Sequence, residues 1–283
     1  MKLNFVELNP CMNKTVFILD DVPVEKYAEI SEKIISYENL FAEQVGFLKP
    51  PFDKNNDAHL HMMGGEFCGN ATRSLAAYTT FNNQRFFENG ADACKLNIEV
   101  FGQDQALECN VTKTSLDNTF YTDIQMPLPI GKMQIIDEIG SIKNIKKIDF
   151  NGITHFSVDD KNFNNIEETE VFFGEVKNFM EENQSSYMAF GIMFYDYEKS
   201  FMTPLVYVKG TDSLFWEKSC ASGTSAFASM MTFEKNKSLN IDIAQPGGSI
   251  NVNTTFENGK ITKIILGSEV SVIAKGQLYV NII

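Results

Sequence analysis

Two short stretches of this chain repeat the same arrangement of reactive and small residues. Cys68-Gly69-Asn70-Ala71-Thr72-Arg73-Ser74-Leu75-Ala76 and Cys220-Ala221-Ser222-Gly223-Thr224-Ser225-Ala226-Phe227-Ala228 both read as cysteine, small residue, Asn or Ser, small residue and Thr, then an apolar run. The small polar residues suit a turn, and the run behind them suits a helix. A helix start carries unpaired N–H groups and the positive end of the dipole, which attract anions and lower the pKa of an adjacent thiol. Two such thiols on one substrate would form a two-sided acid/base pair, one taking a proton as thiolate and the other returning one as thiol. A racemase that works without a cofactor needs that chemistry.

The elements expected to position these cysteines follow from periodicity and breakers. Leu3–Leu8 and Thr15–Leu19 read as strands split by the Asn9-Pro10 turn, and Val24–Tyr37 has helical spacing behind Pro23. Gln44–Leu48 and Asp57–Met63 read as strands, Cys68 opens a helix reaching about Phe81, and strands follow at Cys94–Phe101 and Leu107–Thr112. After Pro127-Leu128-Pro129, a candidate hinge, the order begins again. Strands fall within Ile148–Val158, a helix over Asn165–Glu182, and strands at Tyr187–Tyr197 and Leu205–Val208. A helix over Cys220–Phe233 then precedes strands at Ile241–Ala244, Ser249–Asn253, Lys263–Leu266 and Glu269–Ala274. The fold class expected is α+β, as two pseudo-symmetric strand-rich domains, residues 1–126 with Cys68 and 127–283 with Cys220. The extreme C-terminal strand is allowed to return to the first half.

Composition narrows the function classes. The chain has 283 residues, enough for two cores, and its net charge of −13 disfavours nucleic acid and anionic membranes as partners. The N-terminus reads as a strand rather than a leader, no apolar run suggests a membrane span, and a cytoplasmic protein is expected. Five cysteines without CxxC spacing suggest neither a disulfide framework nor a zinc site. His59-x-His61 has the spacing of two metal ligands on one strand face, but no third ligand is evident, so no metal is expected. Cys11, Cys94 and Cys109 read as packing residues, and His155 as a strand histidine rather than a base.

Five motifs in order then resemble a known family, the diaminopimelate epimerase-like fold. Cys11-Met12-Asn13-Lys14-Thr15-Val16-Phe17 looks like its Gly-Asn-Asp-Phe turn, with Asn13 at the asparagine, and Glu43-Gln44-Val45-Gly46-Phe47-Leu48 is similar to its Asp-Gln-Leu-Leu strand. Gly65-Glu66-Phe67-Cys68-Gly69-Asn70 and Ser219-Cys220-Ala221-Ser222-Gly223-Thr224 match the two catalytic motifs, and Pro246-Gly247-Gly248-Ser249 a late turn. The resemblance implies two domains, each a barrel-like sheet around a central helix, with Cys68 and Cys220 as catalytic base and acid at Cα and no pyridoxal phosphate. It further implies that the N–H groups of Gly69, Asn70, Ala221 and Ser222 hold the α-carboxylate, and that Asn13 and Gln44 orient the substrate or the thiols. Plain turn-capping is the bland alternative for those two. Glu43 is either a solvated strand residue or a group that tunes the thiol or holds the substrate's far end.

Departures from the pattern bear on the substrate. The Glu-Arg pair with which the epimerases grip the distal end of diaminopimelate is missing from Lys209-Gly210-Thr211-Asp212-Ser213-Leu214-Phe215-Trp216. Two distal asparagines are replaced by Ile153 and Gly191. A second carboxylate would lose its bidentate partners. The motifs look more like those of the cofactor-independent histidine racemases of this fold, which implies a small amino-acid substrate and leaves a homodimer open. The competing readings are a diaminopimelate epimerase, a proline-racemase or phenazine-type isomerase, and a non-enzymatic amino-acid-binding or thiol-redox protein.

Overall fold

The computed structural model describes residues 1–281, so residues 282 and 283, the end of the expected second half, lie outside the described residues. Two compact units emerge, one formed by Met1–Gln125 with the stretch from Gly267 onward, the other by Met126–Leu266.

In the first unit β1 (Lys2–Pro10) pairs antiparallel with β2 (Thr15–Ile18), and α1 (Tyr27–Ile35) leads to β3 (Gln44–Lys49), parallel to β2. β4 (Ala58–Met62) returns antiparallel, and α2 (Gly69–Asn82) leads to β5 (Ala93–Val100), parallel to β4. Antiparallel β6 (Leu107–Lys113) and β7 (Thr119–Gln125) follow. Both helices are thus the crossovers that parallel neighbours require.

The second unit contains β8 (Ile130–Ile139), β9 (Ile142–Phe150) and β10 (Ile153–Asp159), then α3 (Ile166–Asn183) and β11 (Ala189–Asp196), which is parallel to β10. β12 (Phe201–Val208) and β13 (Ser213–Trp216) form a hairpin. α4 (Ala221–Lys235) then leads to β14 (Leu239–Gln245), parallel to β12, and β15 (Gly248–Glu257) turns back on it. The last strand, β16 (Lys260–Tyr279), begins in the second unit beside β15 and ends in the first, where Val270–Tyr279 pair with β1. The first unit's order β1-β2-β3-β4-β5-β6-β7-β16 therefore comes back to β1 and closes. The second unit's order is β16-β15-β14-β12-β11-β10-β9-β8.

Two kinds of helix result from two kinds of sequence. α1 buries Tyr27, Ile30, Ser31 and Ile34, and α3 buries Thr169, Phe172, Val176 and Met180, one stripe each at helical spacing. α2 and α4 are buried almost all round. α2 packs against β1, β2 and β4 to β7, and α4 against β8 to β11, β14 and β15. Small residues such as Ala71, Ala76 and Ala77 in α2, and Gly223, Ala226 and Ala228 in α4, let strands approach from several sides.

Three strands are absent from the sequence reading, and two expected strands are one. β8 and β13 are mostly exposed and lack the alternation that marks a half-buried strand. In β7 polar Thr122 interrupts the buried face between Phe120 and Ile124 and Thr119 is buried on the other face, which blurs the apolar alternation. The separate strands expected at Lys263–Leu266 and Glu269–Ala274 are parts of continuous β16, since Gly267 is tolerated where its missing Cβ would lie 2.6 Å from Tyr121 Oη.

Candidate active site

Each cysteine of the repeated stretch is the N-cap of a central helix. Cys68 is extended (φ −129, ψ 113) and its Sγ accepts Ala71 N–H at 3.4 Å; Cys220 is extended (φ −124, ψ 109) and accepts Gly223 N–H at 3.3 Å. The repeated threonine turns back in both: Thr72 Oγ1 donates to Cys68 O at 2.8 Å, and Thr224 Oγ1 to Cys220 O at 2.6 Å. The first intrahelical backbone bonds, Thr72 N to Cys68 O and Thr224 N to Cys220 O, are both 2.9 Å. The N–H groups of Gly69, Asn70, Ala221 and Ser222 come before them, among the donors that a helix leaves without an intrahelical acceptor.

In the first unit, four of the expected residues join one hydrogen-bonded chain. Cys68 Sγ donates to Gln44 Oε1 at 2.8 Å. Gln44 Nε2 donates to Asn13 Oδ1 at 2.5 Å and to Thr15 Oγ1 at 2.7 Å, and Asn13 Nδ2 donates to Glu43 Oε2 at 2.7 Å. Glu43 is exposed and stands in the bend just before β3, yet its carboxylate joins the thiol network through Asn13. The turn that presents Asn13 is unusual, because Cys11 (φ 54) and Met12 (φ 57) are both left-handed without being glycine. The turn is tied down by Asn13 N to Pro10 O at 3.2 Å, Met12 N to Asn9 Oδ1 at 2.6 Å and Cys11 Sγ to Ser268 Oγ at 3.2 Å.

Arg73 lies behind Cys68, fully buried in α2. Its guanidinium donates to Ser268 Oγ and, at 2.7 Å, to Asn70 Oδ1, so the Asn70 side chain is committed to Arg73 while its backbone begins the helix. Burial works against the charge of Arg73, and Cys11 and then Cys68 are the leading groups that favour it. A guanidinium does not lose its proton in proteins, so a fixed positive charge stands behind Cys68.

In the second unit, Cys220 N donates to Gln245 Oε1 at 2.8 Å, and Gln245 Nε2 donates to Thr224 Oγ1 at 2.8 Å. Ser222 Oγ lies 3.4 Å from Cys220 Sγ. Burial raises the Cys220 thiol well above its ordinary range, and the charge and hydrogen bond of Glu217 add to the rise, against smaller opposing effects of Ser222 and Gly223 N–H. This corrects the expectation that the helix start lowers each thiol: for Cys220 the favourable N–H is outweighed.

Of the other cysteines, Cys109 is buried and Cys94 partly buried. Burial pushes Cys94 up to about 11 and raises Cys109 further. His155 is fully buried without a hydrogen-bond partner on either nitrogen, and burial holds it neutral with a pKa near about 3. His61 stacks on Phe101 at 3.9 Å, and among the described residues no cluster of three His, Cys, Asp or Glu is placed to hold a metal ion. Among them, too, no helix is long and apolar enough to cross a membrane.

The family described as "Histidine racemase CntK N-terminal domain" matches residues 2–279. The chain belongs to that family. A histidine racemase from Fusobacterium nucleatum subsp. nucleatum is 34% identical over 99% of this chain and 97% of its own length. One from Staphylococcus aureus is 27% identical over 99% and 98%. A solved structure of a probable proline racemase from Agrobacterium radiobacter superposes with a TM-score of 0.64 at 10% identity, covering 99% of this chain and 93% of that one, which establishes a shared racemase/epimerase-type fold.

Within this family member, Glu217, Gln245, Thr15 and Arg73 are the site residues that sequence reasoning did not single out. Thr224 and Thr72 share a position in the repeat, which was a readable signal; Arg73 falls at its one unmatched position, opposite Ser225. Gln245, Thr15 and Glu217 carried none, since only folding brings β14, β2 and the segment before α4 against a cysteine.

Proposed function

We propose that this chain is a cofactor-independent histidine racemase in which Cys68 and Cys220 act as base and acid at the substrate Cα. Family membership over residues 2–279 and a full-length histidine racemase relative at 34% identity support the activity and the substrate. The observation that carries the mechanism is the duplicated cysteine-capped helix, with a threonine closing each cap and a side-chain acceptor for each thiol proton: Gln44 for Cys68, Glu217 for Cys220. In this reading the two units are pseudo-symmetric copies of one diaminopimelate epimerase-like architecture, each contributing one thiol.

One thiolate takes the Cα proton, the other thiol delivers its proton to the opposite face, and the roles exchange with the handedness of the substrate. The intervening carbanion needs its α-carboxylate neutralised. The N–H groups of Gly69, Asn70, Ala221 and Ser222 are the donors assigned to it, and such preorganised donors are worth about 3–4 kcal/mol each in a dry site. Asn13, Gln44 and Glu43 order the Cys68 side.

The test is conversion of L-histidine in deuterated water. D-histidine carrying deuterium at Cα is expected. Cys68→Ser and Cys220→Ser are each expected to abolish racemisation, because serine is far too weak a base near neutral pH, while exchange from a single face can survive. Normal turnover by both variants refutes the two-thiol mechanism; no exchange by the unmodified protein refutes the activity.

A further inference from the structure

The amide chain between Glu43 and Cys68 has a direction, and the direction has a cause. An ionised carboxylate only accepts hydrogen bonds, so Glu43 turns the Asn13 nitrogen toward itself at 2.7 Å. Asn13 must then offer its oxygen to Gln44, whose nitrogen comes within 2.5 Å. Thr15 Oγ1 donates to Asn13 O at 3.2 Å, so it too accepts from the Gln44 nitrogen, at 2.7 Å. Every donor of the Gln44 amide is used on that side, and its carbonyl is what remains to face Cys68 Sγ at 2.8 Å. A carbonyl accepts the proton of a thiol and repels a thiolate.

We propose that Glu43 is a positioning residue that fixes the polarity of the Asn13–Gln44 amide chain and so holds the proton on Cys68 in the resting protein. The proposal rests on the reading of Cys68 as an acid/base group. It gives Glu43 a task distinct from contact with the substrate side chain.

Other groups act on the same thiol. From α2, Ala71 N–H and the buried cation of Arg73 favour the thiolate. Cys11 in the turn after β1, Tyr121 on β7 and Cys109 on β6 also face Arg73. Cys68 is poised between that cation and the Gln44 carbonyl, and only the carbonyl depends on Glu43. A glutamine at 43 can present either end of its amide to Asn13. Reversal of the chain then puts the Gln44 N–H on Cys68 Sγ, with the Thr15 hydroxyl rotating to donate to Gln44 Oε1.

The experiment is peptide-resolved alkylation of Cys68 by iodoacetamide across a pH series, on the full chain without substrate. Glu43→Gln is expected to move the Cys68 midpoint downward by about one pH unit, and Gln44→Glu, which sets a carboxylate against the thiol, to move it upward. The Cys220 midpoint stays in place in both. With L-histidine as substrate, Glu43→Gln should shift the pH profile of kcat with little change in KM. An unmoved Cys68 midpoint in Glu43→Gln with a raised KM overturns the proposal and makes Glu43 a substrate contact. Should Glu43→Gln fail to fold, an unmoved or lowered midpoint in Gln44→Glu also overturns it. Alkylation needs no turnover, so a chain that racemises nothing can still pass, and an active racemase whose Cys68 ignores both substitutions fails.

Discussion

Thr224 Oγ1 donates to Cys220 O at 2.6 Å while it accepts Gln245 Nε2 at 2.8 Å. With Cys220 N donating back to Gln245 Oε1 at 2.8 Å, three side or main chains form a closed circuit that fixes the start of α4. Thr224→Val is nearly isosteric but leaves Gln245 Nε2 without its buried acceptor. A loss of about 1–3 kcal/mol is expected, with a larger relative fall in kcat than in folded fraction. Thr224→Ser keeps the hydroxyl and should restore most of both. Thermal melts and kcat on the two variants check it; equal behaviour of Val and Ser sinks the idea that the circuit holds the thiol.

Glu217 and Cys220 make a second, electrostatic prediction. Burial and the Glu217 carboxylate keep the proton on Cys220, so in the proposed two-thiol mechanism Cys220 starts a turnover ready to donate and must lose that proton before it can act as base. The direction of turnover in which Cys220 is the base should therefore gain kcat/KM as pH rises. Glu217→Gln keeps a hydrogen-bonding amide but removes the charge, so the Cys220 alkylation midpoint should fall and that alkaline rise should begin at lower pH. The stability sign is fixed as well. The folded chain keeps this proton above the ordinary thiol value of 9.0, where the unfolded chain has lost it, so Cys220 makes the fold weaker as pH climbs past that value. A Cys220 midpoint that does not respond to Glu217→Gln rules out the carboxylate as its cause.

How legible this was from sequence depended on how local each feature is. Cys68, Cys220 and the helices behind them were readable because cap, small residues and apolar run are contiguous, and α1 and α3 because one stripe of each is apolar. Asn13 and Gln44 were recognisable by resemblance, but their bond to each other and to Cys68 is a consequence of β2 and β3 lying parallel, with Thr15 opposite Gln44. Glu217 lies only a few residues before Cys220, yet no periodicity marks a carboxylate that bends back on a thiol. β8 was invisible because a mostly exposed strand buries too little to impose a pattern.

His155 gives an acid-stability prediction that leaves the thiols alone. Its ring is fully buried against Gly191 and Phe150, with both nitrogens unpaired. The folded pKa is depressed from 6.5 to about 3, so below 6.5 the unfolded chain takes up a proton that the folded chain refuses. Stability from this residue is present above 6.5 and drains away as pH falls toward 3. His155→Leu removes the titration, so denaturant midpoints measured down this range should fall less steeply than in the unsubstituted chain. Parallel slopes for the two proteins would mean that other groups govern the acid limb.

The substrate prediction turns on the same strand pair. Where the epimerases carry a distal asparagine, this chain has Gly191, and a Cβ there would lie 2.6 Å from His155 Nδ1 and 2.9 Å from Met193 Cε. The position is filled by its neighbours, so an amide for a distant carboxylate has no room, and Ile153 offers none on β10. The stretch before Cys220 brings exposed Leu214, Phe215 and Trp216 in place of an arginine. In the proposed site a second carboxylate would find no arginine in this stretch, while an imidazole needs far less compensation on leaving water. L-histidine is therefore expected to exceed diaminopimelate in kcat/KM by more than about a hundredfold in one buffer with reductant present. Gly191→Asn should not rescue diaminopimelate; it should instead cost about 1–3 kcal/mol of stability through overpacking against His155 and Met193. A comparable or higher kcat/KM for diaminopimelate, or a stable Gly191→Asn protein that gains it, would show that other residues hold the distal carboxylate.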